Sequence, residues 1–164
     1  MKIRTAFLGV ILSLLPLSQP LLIKTGVSLS TAGLSFIFAE KVNAELRNVS
    51  RFFKISEKRI EEGDYQGAIS IIEKLIAQYP KFPRSYYQRG FINSTYFQKY
   101  DEAISDFSKA ISLSKRSKSN LGLFYSKRGD AKREINDIQG ACSDWREAMK
   151  LGKTFMVFLI SQYC

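Results

Sequence analysis

The chain has 164 residues, with 25 Lys and Arg against 15 Asp and Glu, and it contains no His. That length suits one domain with an ordinary core, and 45% apolar with 13% aromatic residues excludes a disordered or fibrous chain. Without His there is no imidazole base, no Ser–His or Cys–His nucleophile and no commonest metal ligand, and two Cys are too few for a Cys-only zinc site. The sequence therefore predicts no enzyme activity, no metal site and no cofactor.

Residues 1–44 form a separate stretch. Met1–Arg4 is short and basic, and an apolar run from Ala6 to Ile23 follows, interrupted by Pro16 and Pro20. After Lys24 comes a second, largely apolar run to Ala39. A basic start before an apolar run is the layout of a secretory signal, and Val42-Asn43-Ala44 before Glu45 supplies the small residues that cleavage needs. The alternative is a retained membrane anchor over residues 6–39, which is long enough to span a bilayer although Pro16, Pro20 and Lys24 break a single clean helix. Both readings place residues 45–164 outside the cytoplasm, either released or tethered. Residues 1–44 hold four basic side chains and one acidic one, so the remainder keeps a net charge of +7. Such a surface suits acidic partners or an anionic membrane face, and export makes nucleic acid the least fitting partner.

From residue 45 onward the sequence repeats. Gly63-Asp-Tyr-Gln-Gly-Ala-Ile69 is echoed by Lys99-Tyr-Asp-Glu-Ala-Ile104 and by Asn136-Asp-Ile-Gln-Gly-Ala-Cys142, which aligns Ala68, Ala103 and Ala141. Upstream of each alanine stands a small residue: Ser56, Gly90 or Gly129. Leu46, Val49, Phe52, Phe53, Ser56 and Ile60 recur at three- and four-residue steps and predict a helix with one apolar stripe. Ala68, Ile69, Ile72, Leu75 and Ile76 predict its partner helix. Asp64 and Asp137 precede second helices, where a carboxylate can cap free N–H groups. The second unit has one residue more than the others between its small residue and its alanine, which places an insertion within Asn93–Lys99, in the turn. The polar, basic Ser114–Asn120 carries no stripe and is expected to be an exposed loop between units two and three.

These features resemble tetratricopeptide repeats, helix–turn–helix units of about 34 residues that bury their apolar stripes only against neighbours. The matching slots are Phe52, Tyr86 and Tyr125; Ser56, Gly90 and Gly129; Tyr65, Tyr100 and Ile138; and Ala68, Ala103 and Ala141, followed by Ile72, Phe107 and Trp145. Ser56 for glycine, Ile138 for tyrosine, and the absence of a closing proline like Pro80 from units two and three are departures from the pattern. The resemblance implies an all-α, right-handed superhelical stack of repeats at about 49–82, 83–116 and 122–152, with a capping helix at 154–163. Within that helix Phe155, Phe158, Leu159 and Gln162 share a face. Gly140–Gly152, followed by a segment ending Tyr163-Cys164, resembles final repeats of secreted tetratricopeptide proteins of cyanobacteria, which implies periplasm or thylakoid lumen.

Cys142 and Cys164 lie equally far on either side of Lys153, so a helical hairpin turning there brings both sulfurs to one end and permits a disulfide. The alternative is two unrelated thiols, with Cys142 a small core residue. Members of the family bind peptides on the concave face lined by first helices. Carried over by helical phase, that face presents Phe53, Tyr87 and Phe91 as aromatic anchors and Arg84 and Arg133 as carboxylate partners, alongside Ser50, Glu57, Ile60, Ser94, Leu123, Ser126 and Asp130. The alternative is that these aromatics only pack between helices and the arginines are solvated. The Lys/Asn pattern with which related proteins clamp a chaperone's terminal carboxylate is missing, since Phe53 and Glu57 occupy its slots. The expected function is a non-enzymatic module that binds a protein segment, a scaffold or assembly factor, with a membrane-anchored assembly factor of a membrane complex as the alternative. Asn48-Val-Ser50 and Asn93-Ser-Thr95 match the glycosylation pattern.

Overall fold

A computed structural model describes residues 31–114 and 118–164. Among these residues there are seven helices and no strand: α1 (Thr31–Glu61), α2 (Tyr65–Gln78), α3 (Pro83–Tyr96), α4 (Tyr100–Leu113), α5 (Lys118–Glu134), α6 (Ile138–Lys150) and α7 (Met156–Tyr163). The chain divides into a unit of residues 1–44 and a unit of Glu45–Cys164. In the first, the described part is helical and exposes Phe36, Ile37 and Phe38. The signal or anchor expected there lies mostly outside the described residues, and no described helix is long and apolar enough to cross a membrane.

The second unit is three helical hairpins, α1–α2, α3–α4 and α5–α6, followed by α7. Each hairpin turns through three residues whose middle one takes a positive φ: Gly63 at 77°, Gln98 at 54° and Asn136 at 63°. Glycine and asparagine adopt this conformation at low cost; glutamine at the second turn is the exception. In the first and third turns the closing bond spans five residues, from the Asp64 N–H to the Arg59 carbonyl (2.8 Å) and from the Asp137 N–H to the Lys132 carbonyl (2.9 Å). In the second, the Lys99 N–H reaches the Asn93 carbonyl at 3.0 Å and closes a ring one residue wider. The insertion expected within Asn93–Lys99 is accommodated there.

Second helices begin as the sequence suggests. The Asp64 and Asp137 carboxylates accept from the Gly67 and Gly140 N–H groups at 2.8 and 2.9 Å. Lys99 stands in the same place before α4 and cannot accept, so α4 starts without a side-chain cap; Asp101 and Glu102 in its first turn face the positive end of the helix dipole instead. Ser114–Asn120 is not one exposed loop. Ser114 is buried, and Lys118–Asn120 already belong to α5, because a polar segment is well tolerated at a helix N-terminus, where backbone N–H groups lack partners.

Within each hairpin the helices cross at a matched set of residues. Ala68, Ala103 and Ala141 are fully buried, and Ile72, Phe107 and Trp145 fill the space beside them. Burying a side chain such as Phe107 stabilises the fold by about 2–3 kcal/mol. The size of that filler decides the small residue opposite. A Cβ on Gly129 would come within 2.7 Å of the Trp145 indole, and one on Gly90 within 3.0 Å of the Phe107 ring. Opposite the thinner Ile72, Ser56 is admitted, and its hydroxyl faces the Ala68 carbonyl at 3.4 Å. Leu46, counted in the stripe of α1, is exposed.

Buried charge also joins the helices of the second and third hairpins. Arg89 donates through Nε and Nη2 to Asp106 at 2.9 and 2.7 Å, and Arg128 donates to Asp144 at 2.8 and 2.6 Å. Arg128 also reaches Ser108 on α4 at 3.0 Å, and Lys132 pairs with Asp144 at 2.9 Å. The carboxylate hydrogen bonds hold both guanidinium groups charged, above their already high usual range. In the first hairpin the equivalent slots hold Ile55 and Ile71.

Cys142 and Cys164 are bonded, with Cα atoms 5.8 Å apart, and tie the end of α7 to α6. Met156 is buried, Leu159 and Ile160 pack on the same cluster, and the Tyr163 ring lies 5.9 Å from that of Trp145. The inward face of α7 is thus Met156–Leu159–Ile160–Tyr163. Of the Phe155, Phe158, Leu159 and Gln162 face, Leu159 packs inward, while Phe155 and Phe158 point to solvent.

Candidate functional site: the face of the first helices

Helix α3 touches α5 directly, and Arg84 at the start of α3 reaches Glu57 and Phe53 on α1. The side chains selected from the sequence fall into three groups along these helices. At the α1 end, Leu46, Val49, Ser50, Phe53, Lys54, Glu57, Phe82 and Arg84 line a groove of about 580 Å³. Phe53 is only 5% exposed, so it is not a projecting anchor. It forms the floor, packed on Phe82 (ring centroids 5.9 Å apart) and covered by the Arg84 guanidinium at 4.5 Å. Helical phase along α1 could not foresee that Phe82, from the loop before α3, would pack against Phe53. Arg84 also pairs with Glu57 at 3.6 Å, and both side chains remain more than half exposed. A ligand carboxylate would have to compete with Glu57, and a ligand cation with Arg84.

In the middle, Tyr87 and Phe91 are half-buried neighbours with ring centroids 6.3 Å apart. Tyr87 also packs against Phe124 (5.1 Å) and Phe107 (5.8 Å), so it serves both the core and the surface. Burial pushes its phenol above the usual range; Arg84 opposes the shift and Asp130 adds to it. At the α5 end, Asp130 accepts from the Trp145 Nε1–H at 3.1 Å and pairs with Lys127 at 3.3 Å. These two residues share a shallow pocket with Ser94, Thr95, Tyr100 and Glu134. Ser126 is buried, and its hydroxyl has no partner among the described residues. Arg133 pairs with the neighbouring Glu134, and its guanidinium sits 5.6 Å from the Tyr163 ring, toward α7. It is half-buried and already has a carboxylate partner. Lys127, one turn before Asp130, lines the shallow pocket.

Among the described residues no cluster of acidic or sulfur side chains could hold a metal ion. Of the two glycosylation matches, Asn93 is buried and Asn48 donates to the Tyr79 hydroxyl at 3.1 Å. Glu61 and Glu62 are solvated, and Lys58 pairs with Glu62.

No family model matches the sequence. Over 92 residues the chain is 33% identical to a TPR repeat-containing protein of Methanocaldococcus jannaschii, a match covering 56% of this chain and 15% of that protein. The chain thus spans a small part of that relative's length. Among solved structures, the N-terminal domain of stress-induced protein-1 from C. elegans superposes with a TM-score of 0.67 at 14% identity, over 73% of this chain and 97% of that one. The first TPR of Spaghetti (RPAP3), bound to the HSP90 peptide SRMEEVD, gives a TM-score of 0.64 at 19% identity over 71% and 90% of the two chains. The Yersinia enterocolitica type III secretion chaperone SycD, in complex with a peptide of the translocator YopD, gives 0.64 at 13% identity over 71% and 92%.

Proposed function

We propose that this chain, a tetratricopeptide-repeat protein by fold, captures an extended segment of another protein along the face of α1, α3 and α5 and performs no covalent chemistry. One observation carries the reading: the first helices present aromatic side chains (Tyr87 and Phe91, with Phe53 beneath Arg84) beside charge pairs, Glu57–Arg84 and Lys127–Asp130, that a polar ligand can compete for. Solved neighbours described as complexes with HSP90 and translocator peptides support it. The ligand differs from a terminal EEVD segment, because Phe53 is a covered floor and Glu57 places a negative charge where a ligand carboxylate would sit. Scaffolding or assembly is the role that such capture serves. The bonded Cys142–Cys164 pair supports an oxidising compartment as its location, outside the cytoplasm.

The test is capture from the native source, with the bound protein identified by mass spectrometry and its affinity then measured against groove variants. Phe91→Ala is expected to weaken binding about thirtyfold, the loss of one interface hot spot, while the melting curve stays close to that of the parent. Ser105→Arg on α4 should change nothing. Equal loss from both variants, or none from Phe91→Ala, refutes the groove.

A further inference from the structure

Helix α7 begins with an unbroken apolar run, Met156–Ile160, and carries only Ser161 and Gln162 as polar residues before Tyr163. Its inner face is satisfied by Trp145, Met156 and their neighbours, yet Phe155, Val157 and Phe158 remain 63%, 58% and 69% exposed on the outer side. Large apolar side chains clustered on an exposed face mark a contact surface. The sulfur bond and the buried Met156 hold α7 against α6, so this outer face is a fixed surface and not a fraying tail.

The charge around the face selects what covers it. From Ala148 to the last residue there is no acidic side chain, whereas Lys150 and Lys153 flank the turn that leads into Phe155. Arg146, exposed on α6, stands four residues before Lys150. On α6, Glu147 is paired with Lys150 at 2.6 Å, and that lysine side chain stays well exposed. Apolar side chains projecting beside a basic rim match the boundary between lipid tails and anionic headgroups. A second copy docking through the same face would bring both basic rims together, which disfavours self-association.

We infer that the α6–α7 corner is a docking surface for an anionic lipid bilayer. Phe155 and Phe158 enter the headgroup boundary, and Lys150 and Lys153 meet lipid phosphates. This contact is separate from the groove on the first helices and leaves that groove free to hold a protein segment.

The experiment uses the full chain carrying Phe158→Trp, mixed with vesicles of phosphatidylcholine and phosphatidylglycerol whose acyl chains are brominated. The chain's single tryptophan, Trp145, is fully buried and serves as an unquenched reference in the parent protein. Phe158 is exposed, so the substitution leaves the core alone. The expected result is a shift of the new emission to shorter wavelength and loss of most of its intensity on anionic vesicles. Lys150→Glu with Lys153→Glu, in the same background, should abolish both changes, as should vesicles of phosphatidylcholine alone. Three outcomes overturn the inference: a new indole that stays unquenched while the chain sediments with anionic vesicles through another segment; quenching that ignores lipid charge and the lysine substitutions; and a blue shift that grows with protein concentration in the absence of vesicles, which would assign the face to a second copy.

Discussion

Removing Asp106 tests the claim that charge pairs fasten the later hairpins. In Asp106→Ala, the Arg89 guanidinium loses both of its bonds, at 2.9 and 2.7 Å. Breaking a buried ion pair from one side costs about 3–5 kcal/mol. Here the Asp106 side chain is 8% exposed, but Arg89 keeps 27% exposure and has Glu73 at 3.9 Å, so the loss falls at the lower end, about 3 kcal/mol. For a domain of this size that lowers the melting temperature by about 10 °C. The double variant Arg89→Ile with Asp106→Ile copies the residues that the first hairpin already carries in these slots, Ile55 and Ile71, and should melt within about 1 kcal/mol of the parent, because neither charge is left buried alone. Thermal and urea melts followed by circular dichroism measure both. A double variant as unstable as the single one would show that the pair is not interchangeable with an apolar contact, and the account of hairpin joining would be wrong.

Three further outcomes are expected. Gly129→Ala forces a methyl group against the Trp145 indole and should destabilise by about 1–3 kcal/mol in the same melts, more than Gly90→Ala, whose contact with Phe107 is looser. Reducing the Cys142–Cys164 bond, which closes a segment with a sequence separation of 22, should cost about 3 kcal/mol and lower the melting temperature under reductant; a Cys142→Ser, Cys164→Ser variant should then be insensitive to reductant. The Asp64 carboxyl is held below its ordinary 3.8, first by the Gly67 N–H and then by Arg59. A depressed carboxylate contributes stability above its unfolded value and loses it as the pH falls through the folded one, so part of the acid sensitivity below about pH 4 should disappear in Asp64→Asn, as acid melts would report.

Helix positions and hairpin pairing were legible because both rest on short-range signals: the alanine at each crossing, the small residue opposite, and the capping Asp64 and Asp137. The insertion near Asn93 was legible for the same reason, since counting along two helices needs no knowledge of their surroundings. Three things were not. The burial of Phe53 depends on Phe82, a loop residue with no periodicity to announce it. The inward face of α7 was open, because Met156–Ile160 is an unbroken apolar run that gives no phase of its own. The Arg89–Asp106 and Arg128–Asp144 pairs were present as repeated Arg-Gly and Asp-aromatic dipeptides, but Ile55 and Ile71 in the first unit hid the correspondence.

The uneven fastening of the three hairpins gives the stack a direction. The last is braced by a sulfur bond from α6 to α7 and by a guanidinium that also grips the helix before it, whereas the first carries Ile55 and Ile71 at the slots where the others hold charge. Heat or pulling should unzip such an array from its early end, and the amides of α2 should trade hydrogen for deuterium before those of α6. The groove between Leu46 and Arg84 lies at that looser end, so transient yielding there would let a bulky side chain slip onto the floor while the distal repeats keep their shape.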